Sequence, residues 1–201
     1  MARSDVLQGF LDAIFDAFDD RVTDARGRAS IKRIVAASKM THPERQDIGR
    51  RLPVCEPYLE DALSAGCDRP PFARLLERFR ALEPLLEWKS RPHFDETASD
   101  NFPSGHANTM IVGPGGLEDR ADIWLGVSLL APHVRYPDHD HAPEETYLVM
   151  SDGEFRHGDS GWFSPGLGGT FYNPPGIRHA MRSGEKPLFA FWALSPVPSE
   201  R

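Results

Sequence analysis

The residues best placed to do chemistry lie in one run: His139-Asp140-His141-Ala142-Pro143-Glu144-Glu145-Thr146-Tyr147. His139, His141, Glu145 and Tyr147 share one parity, so on extended chain their side chains point to one face. Each polar group gathered there would cost about 1–3 kcal/mol if buried without a partner. A bound cation satisfies all of them at once. Imidazole with carboxylate suits Zn, Fe, Ni or Mn rather than Ca. Glu144 has the opposite parity and is expected outside the ligand set. The plain alternative is an exposed polar loop, since Pro137, Asp138, Asp140 and Pro143 all favour loops.

A second group lies downstream, where Gly168, Pro174 and Gly176 precede His179. Glycine and proline at these positions suit a tight turn that delivers one histidine. Spacing alone does not bring His179 to the first cluster. His42, His93, His106 and His157 stand alone and read as surface or satisfied polar residues, with His133 nearer the cluster.

The elements that must position these residues change character along the chain. Val6, Leu7, Phe10, Leu11, Ile14, Phe15 and Phe18 form one apolar helical stripe, with Ser4 as its N-cap. A weaker stripe runs from Ile31 to Met40. Pro70 and Pro71 open a helix carrying Phe72, Leu75, Leu76, Phe79 and Leu82, and Pro84 should end it. These stripes read as core packed against the second half, with a partner or homodimer face as the alternative. Residues 91–107, broken by Pro92, Pro103 and Gly105, read as a linker. From about residue 108, short apolar runs alternate with Gly and Pro turns: Thr109–Val112, Ile123–Leu130, Thr146–Met150, Thr170–Tyr172 and Leu188–Leu194. Such punctuation predicts an all-β barrel or sandwich. The expected organisation is a helical N-terminal extension over 1–104 and a β-barrel over 105–201.

Composition narrows the function classes. The 201 residues are 40% hydrophobic and 26% charged, which suits a globular protein. The net charge is −7 and no basic tract appears, so nucleic acid is not an expected partner. Two cysteines, Cys55 and Cys67, exclude a disulfide scaffold and leave one optional bridge. The segment Met1–Val6 lacks the basic and apolar regions of a secretory signal, and no stretch approaches the roughly 18–20 apolar residues of a membrane span. A cytoplasmic location without membrane contact is expected. A homodimer remains open.

The motifs resemble those of the cupin superfamily. His139-x-His141-x3-Glu145 matches its first motif, and Gly168-x5-Pro174-x-Gly176-x2-His179 matches its second. The chain departs from the pattern where His133 replaces a leading Gly, where the closing Gly falls one place late at Gly153, and where Ser183 replaces a final Asn. The resemblance covers about residues 105–196. Adding Tyr147, the helical extension and Tyr136 narrows it to the bacterial cupin-type lyases of dimethylsulfoniopropionate (DMSP), most closely the DddQ kind. That resemblance implies a mainly β fold, a jelly-roll-like cupin barrel preceded by helices. It implies cleavage of DMSP to dimethyl sulfide and acrylate, with one divalent or trivalent transition metal, Zn or Fe first and Ni or Mn next. It carries His141, Glu145, His179 and Tyr147 over as metal ligands, with His139 as a further ligand.

β-Elimination removes a weakly acidic proton beside a carboxylate and expels a neutral thioether. A metal on that carboxylate would spread the developing charge. A base must reach the carbon-bound proton. Tyrosine, with an ordinary pKa near 10, serves only if a cation lowers it, so Tyr147 or Tyr136 is the candidate base. Aromatic faces of Tyr136, Tyr172, Trp162 or Trp192 would hold the sulfonium. The competing readings are an Fe-dependent cupin oxygenase or isomerase on another small carboxylic acid, and a non-catalytic binding module.

Overall fold

A computed structural model describes residues 3–64 and 70–196. The first helix, α1 (Asp5–Arg21), starts where the sequence predicts: Ser4 Oγ accepts from the Leu7 amide and caps it. Its stripe of Leu7, Phe10, Leu11, Ile14 and Phe18 is buried. Helix α2 (Ala25–Ser38) is capped by Asp24, whose carboxylate accepts from the Arg26 and Gly27 amides. Helices α3 (Cys55–Ser64) and α4 (Phe72–Leu82) follow. Past α4 the chain tightens into a 3-10 turn at Glu83–Leu85, because Pro84 cannot continue an α-helix. Cys55 is a free, buried thiol, and burial pushes it up to about 11. Cys67 and its proposed bridge lie outside the described residues.

The strands are β1 (Trp88–Lys89), β2 (His106–Val112), β3 (Trp124–Leu130), β4 (Arg135–His139), β5 (Glu144–Val149), β6 (Glu154–His157), β7 (Thr170–Asn173), β8 (His179–Arg182) and β9 (Leu188–Ser195). A short helical turn, α5 (Phe102–Gly105), leads into β2 and occupies part of the segment read as linker. The strands form a six-stranded sheet in the order β1-β2-β3-β9-β5-β7 and a three-stranded sheet in the order β4-β8-β6, and every ladder is antiparallel. This is the mainly β, cupin-type architecture that the motifs imply, preceded by a helical region.

The helical stripes pack as core. Phe79 of α4 meets Phe189 and Phe191 of β9 at ring-centroid distances of 5.4 Å each, and Phe10 of α1 meets Phe191 at 5.8 Å. Alternation along β9 sends Phe189 and Phe191 to the helices and Trp192 to the opposite face. Glu144 explains its parity in the same way. It is buried toward α2, where it pairs with Arg33 and accepts from the Tyr172 hydroxyl at 2.7 Å. Among the described residues, no helix is long and apolar enough to cross a membrane.

Candidate active site

Residues from both sheets line a cavity of about 320 Å³, within the usual range for small-molecule sites. Tyr136 and His139 of β4 and Met181 of β8 come from the smaller sheet. Glu145 and Tyr147 of β5, Trp192 of β9, and Asn108 and Ser128 of β2 and β3 come from the larger.

The first motif is not one extended strand. His139 ends β4 in the small sheet, residues 140–143 are irregular, and Glu145 and Tyr147 lie on β5 in the large sheet. Shared parity therefore places only Glu145 and Tyr147 on one face through alternation. The histidines converge because the chain turns a corner between sheets, at a segment containing Pro143. The second motif closes the site through backbone pairing. His139 and His179 are partners across β4 and β8, and the Gly176 amide donates to the His141 carbonyl at 2.9 Å. Gly176 sits at φ +69°, a left-handed position that glycine adopts without strain.

The imidazoles are held in defined tautomers. Nδ1 of His139, His141 and His179 each faces a backbone carbonyl, of Pro137 at 3.0 Å, Pro143 at 2.9 Å and Ile177 at 2.9 Å. A carbonyl only accepts, so each Nδ1 carries the proton and each Nε2 offers a lone pair. Nε2 of His141 and of His179 is buried without a hydrogen-bond partner. Both face Glu145 Oε2, at 3.4 and 3.2 Å. Ligand atoms of His141, Glu145 and His179 all lie within 4.8 Å of one another. Two orphaned imidazole nitrogens and a carboxylate, oriented by backbone carbonyls, fit a transition-metal donor set. His139 is not in that cluster. Its ring packs against His179 with centroids 4.1 Å apart, and burial pushes its pKa down to about 3.

An outer layer supports Glu145. Asn173, its cross-strand partner on β7, donates Nδ2–H to Glu145 Oε2 at 3.1 Å, and Asn173 Oδ1 pairs with His157 Nδ1 at 2.7 Å. His157 reads as solitary in the sequence because only strand register links it to the site. Burial raises the Glu145 carboxyl, but hydrogen bonds and positive charge from His141 and His179, when no ion is bound and their Nε2 atoms take up protons, outweigh that and hold it far below the usual carboxylate range.

The two tyrosines differ. Tyr147 stacks on Phe171 with centroids 4.8 Å apart; burial, then the Glu145 charge, raises its phenol well above 10. Tyr136 is raised chiefly by burial, but Arg91 and Asn108 oppose that with positive charge and hydrogen bonds to its oxygen. The guanidinium of Arg91 lies 5.8 Å from the Tyr136 ring centre, and Asn108 Nδ2 donates to the hydroxyl at 3.1 Å. Arg91 itself is seated by His106, whose Nε2 accepts from the Arg91 amide at 2.7 Å.

Of the aromatic candidates for a sulfonium, Tyr136 and Trp192 line the cavity, with Trp124 added. Trp162 and Tyr172 do not. Trp162 is covered by Arg135, Arg156 and Arg182 at 5.5, 5.3 and 4.3 Å, and Tyr172 carries Arg26 on its ring while its hydroxyl binds Glu144. Tyr172 lies on the face of β7 that alternation turns away from the pocket, opposite Thr146.

A family model described as dimethylsulfoniopropionate lyase matches residues 26–190. A curated protein described as the dimethylsulfoniopropionate lyase DddL of Cereibacter sphaeroides is 32% identical over 81 residues, 40% of this chain and 34% of that protein. The chain thus matches about a third of that relative's length. Among solved structures, DMSP lyase DddQ from Ruegeria pomeroyi aligns with TM-score 0.71 and 18% identity, covering 99% of this chain and 95% of that one. A chain from the structures of the DMSP lyases RdDddP and RnDddQII aligns with TM-score 0.69 and 20% identity, covering 94% and 92%. At these identities the structural likeness is one of fold.

Proposed function

The chain belongs to the dimethylsulfoniopropionate lyase family, a family of carbon–sulfur lyases, and from that premise we propose that it cleaves DMSP to dimethyl sulfide and acrylate. The observation that carries the reading is a His141-Glu145-His179 donor set, two of whose members line one cavity with Tyr136, whose oxygen accepts a hydrogen bond from Asn108.

When bound by His141, Glu145 and His179, with Tyr147 as a further oxygen donor and His139 packed beside them, a Zn or Fe ion (or Ni or Mn) supplies Lewis-acid stabilisation of charge on the substrate carboxylate. The chain's own residues do the rest. Tyr136, as phenolate, takes the proton from the carbon next to the carboxylate. The C–H electron pair becomes the new carbon–carbon double bond. The bond to sulfur breaks, its pair leaves with the thioether, and acrylate remains. Arg91 and Asn108 favour the ionised oxygen of Tyr136, because a cation and a donor both stabilise phenolate. Tyr147 faces a carboxylate instead, which disfavours ionisation in the absence of a cation. The ring faces of Trp192 and Trp124 offer the sulfonium an attraction of about 0.5–2 kcal/mol each.

Headspace analysis of purified, metal-loaded protein supplied with DMSP tests the reading. Dimethyl sulfide and acrylate should appear in equal amounts, without oxygen uptake, and a chelator should stop both. Metal-loaded protein that consumes oxygen with another small acid and releases no dimethyl sulfide would favour the oxygenase alternative.

A further inference from the structure

The Tyr136 hydroxyl ends a hydrogen-bonded chain that crosses four strands. Trp192 Nε1 donates to Ser128 Oγ at 3.1 Å. Ser128 Oγ donates to Asn108 Oδ1 at 2.6 Å. Asn108 Nδ2 then donates to Tyr136 at 3.1 Å. Ser128 lies opposite Asn108 in the β2–β3 register, and Gly126 lies opposite Trp192 in the β3–β9 register. Gly126 leaves the room: a Cβ there would stand 2.2 Å from the Trp192 ring and 2.4 Å from the Thr109 carbonyl oxygen.

The direction of this chain is dictated at one end. An indole nitrogen donates and never accepts. Ser128 must therefore accept from Trp192, which leaves its single proton for the Asn108 carbonyl. The Asn108 amide is thereby oriented with its NH2 group toward Tyr136. Three bonds running head to tail also polarise one another in the same sense. The Tyr136 oxygen sits at the accepting end and spends no proton on the chain.

We infer that Trp192, Ser128 and Asn108 are positioning residues that fix the Tyr136 oxygen as a hydrogen-bond acceptor aimed at the substrate. The inference rests on the assignment of Tyr136 as base made above. It gives Trp192 a role beyond its ring face, and it gives buried Ser128, which is 3% exposed, a role in turnover through Asn108.

The test compares kcat, KM and the kinetic isotope effect of α-deuterated DMSP for Ser128→Ala, Asn108→Asp, Trp192→Phe and Tyr136→Phe in metal-loaded protein. Asn108→Asp keeps the shape of the side chain but replaces the donor with an acceptor. Both Ser128→Ala and Asn108→Asp should lower kcat about 10-fold or more with KM within about twofold, and raise the isotope effect as proton removal becomes limiting. Trp192→Phe keeps an aromatic face but removes the anchoring donor, so kcat should fall in the same sense. Should Ser128→Ala not fold, Asn108→Asp and Trp192→Phe carry the test. Wild-type kcat in those two variants, with Tyr136→Phe inactive, overturns the relay and spares the base assignment. An active Tyr136→Phe overturns the base assignment and the relay together. A fall in kcat with an unchanged isotope effect marks a merely structural role and also overturns it.

Discussion

Two tyrosines open onto one cavity, and their neighbours separate their roles. Tyr136 meets a guanidinium and an amide N–H, whereas Tyr147 meets the Glu145 carboxylate. Tyr136→Phe should therefore lower kcat by about 100-fold or more while metal content stays at the wild-type level. Tyr147→Phe should show its main effect in metal retention, read by elemental analysis after dialysis against a weak chelator. Equal loss of metal in both variants would count against this division of labour. Asn173 donates to the carboxylate oxygen nearest both imidazoles. Asn173→Ala should weaken metal binding about 10-fold or more, because outer partners orient ligands; titration with a competing chelator measures it. The sequence made His141, Glu145, Tyr147 and the HxH spacing legible, since imidazole and carboxylate at such intervals have few structural uses. Asn173, His157, Asn108 and Ser128 were not legible. Nothing local marks them, and they reach the site only across strand registers.

Elements place these side chains, and their legibility followed the length of their periodic signal. The stripes of α1 and α4 are long and end at a recognisable cap or proline, so their positions were readable. Strand β1 has two residues and β6 and β8 have four each, too few for alternation to register. The corner between β4 and β5 defeated the parity argument because a change of sheet leaves no mark in parity. Gly126→Ala should destabilise the fold by about 1–3 kcal/mol, as overpacking does, and should displace Trp192. Chemical denaturation measures the first effect; a raised KM for DMSP reports the second. His106 makes the fold sensitive to pH. Burial is the main cause of its lowered pKa, and it is seated between the Phe102 ring and the Arg91 amide. In the unfolded chain it titrates near 6.5. Between that value and its lower folded value, the unfolded state binds more protons, so acidification destabilises. Melting temperature should fall as pH drops below about 6.5, and His106→Gln should flatten that dependence.

At the scale of the molecule, the donor set ties two sheets and two distant stretches of sequence together. His141 and Glu145 come from one stretch and His179 from another, and the Gly176 amide donates a hydrogen bond to the carbonyl of His141, tying its loop to the second stretch. An ion held by all three would bind the folded chain and not the unfolded one, so occupancy must appear as stability. At a free metal concentration 100 times its dissociation constant the gain is about 2.7 kcal/mol. For a chain of this length each kcal/mol raises the melting temperature by roughly 2–4 °C, so metal loading should raise it by about 5–11 °C. Differential scanning calorimetry of apo and reloaded protein measures the shift. The gain should vanish in His179→Ala, which removes the ligand from the second stretch, and should persist in Tyr136→Phe, which leaves the donor set whole. A metal-dependent shift of equal size in both variants would place the ion elsewhere and separate stability from the proposed centre.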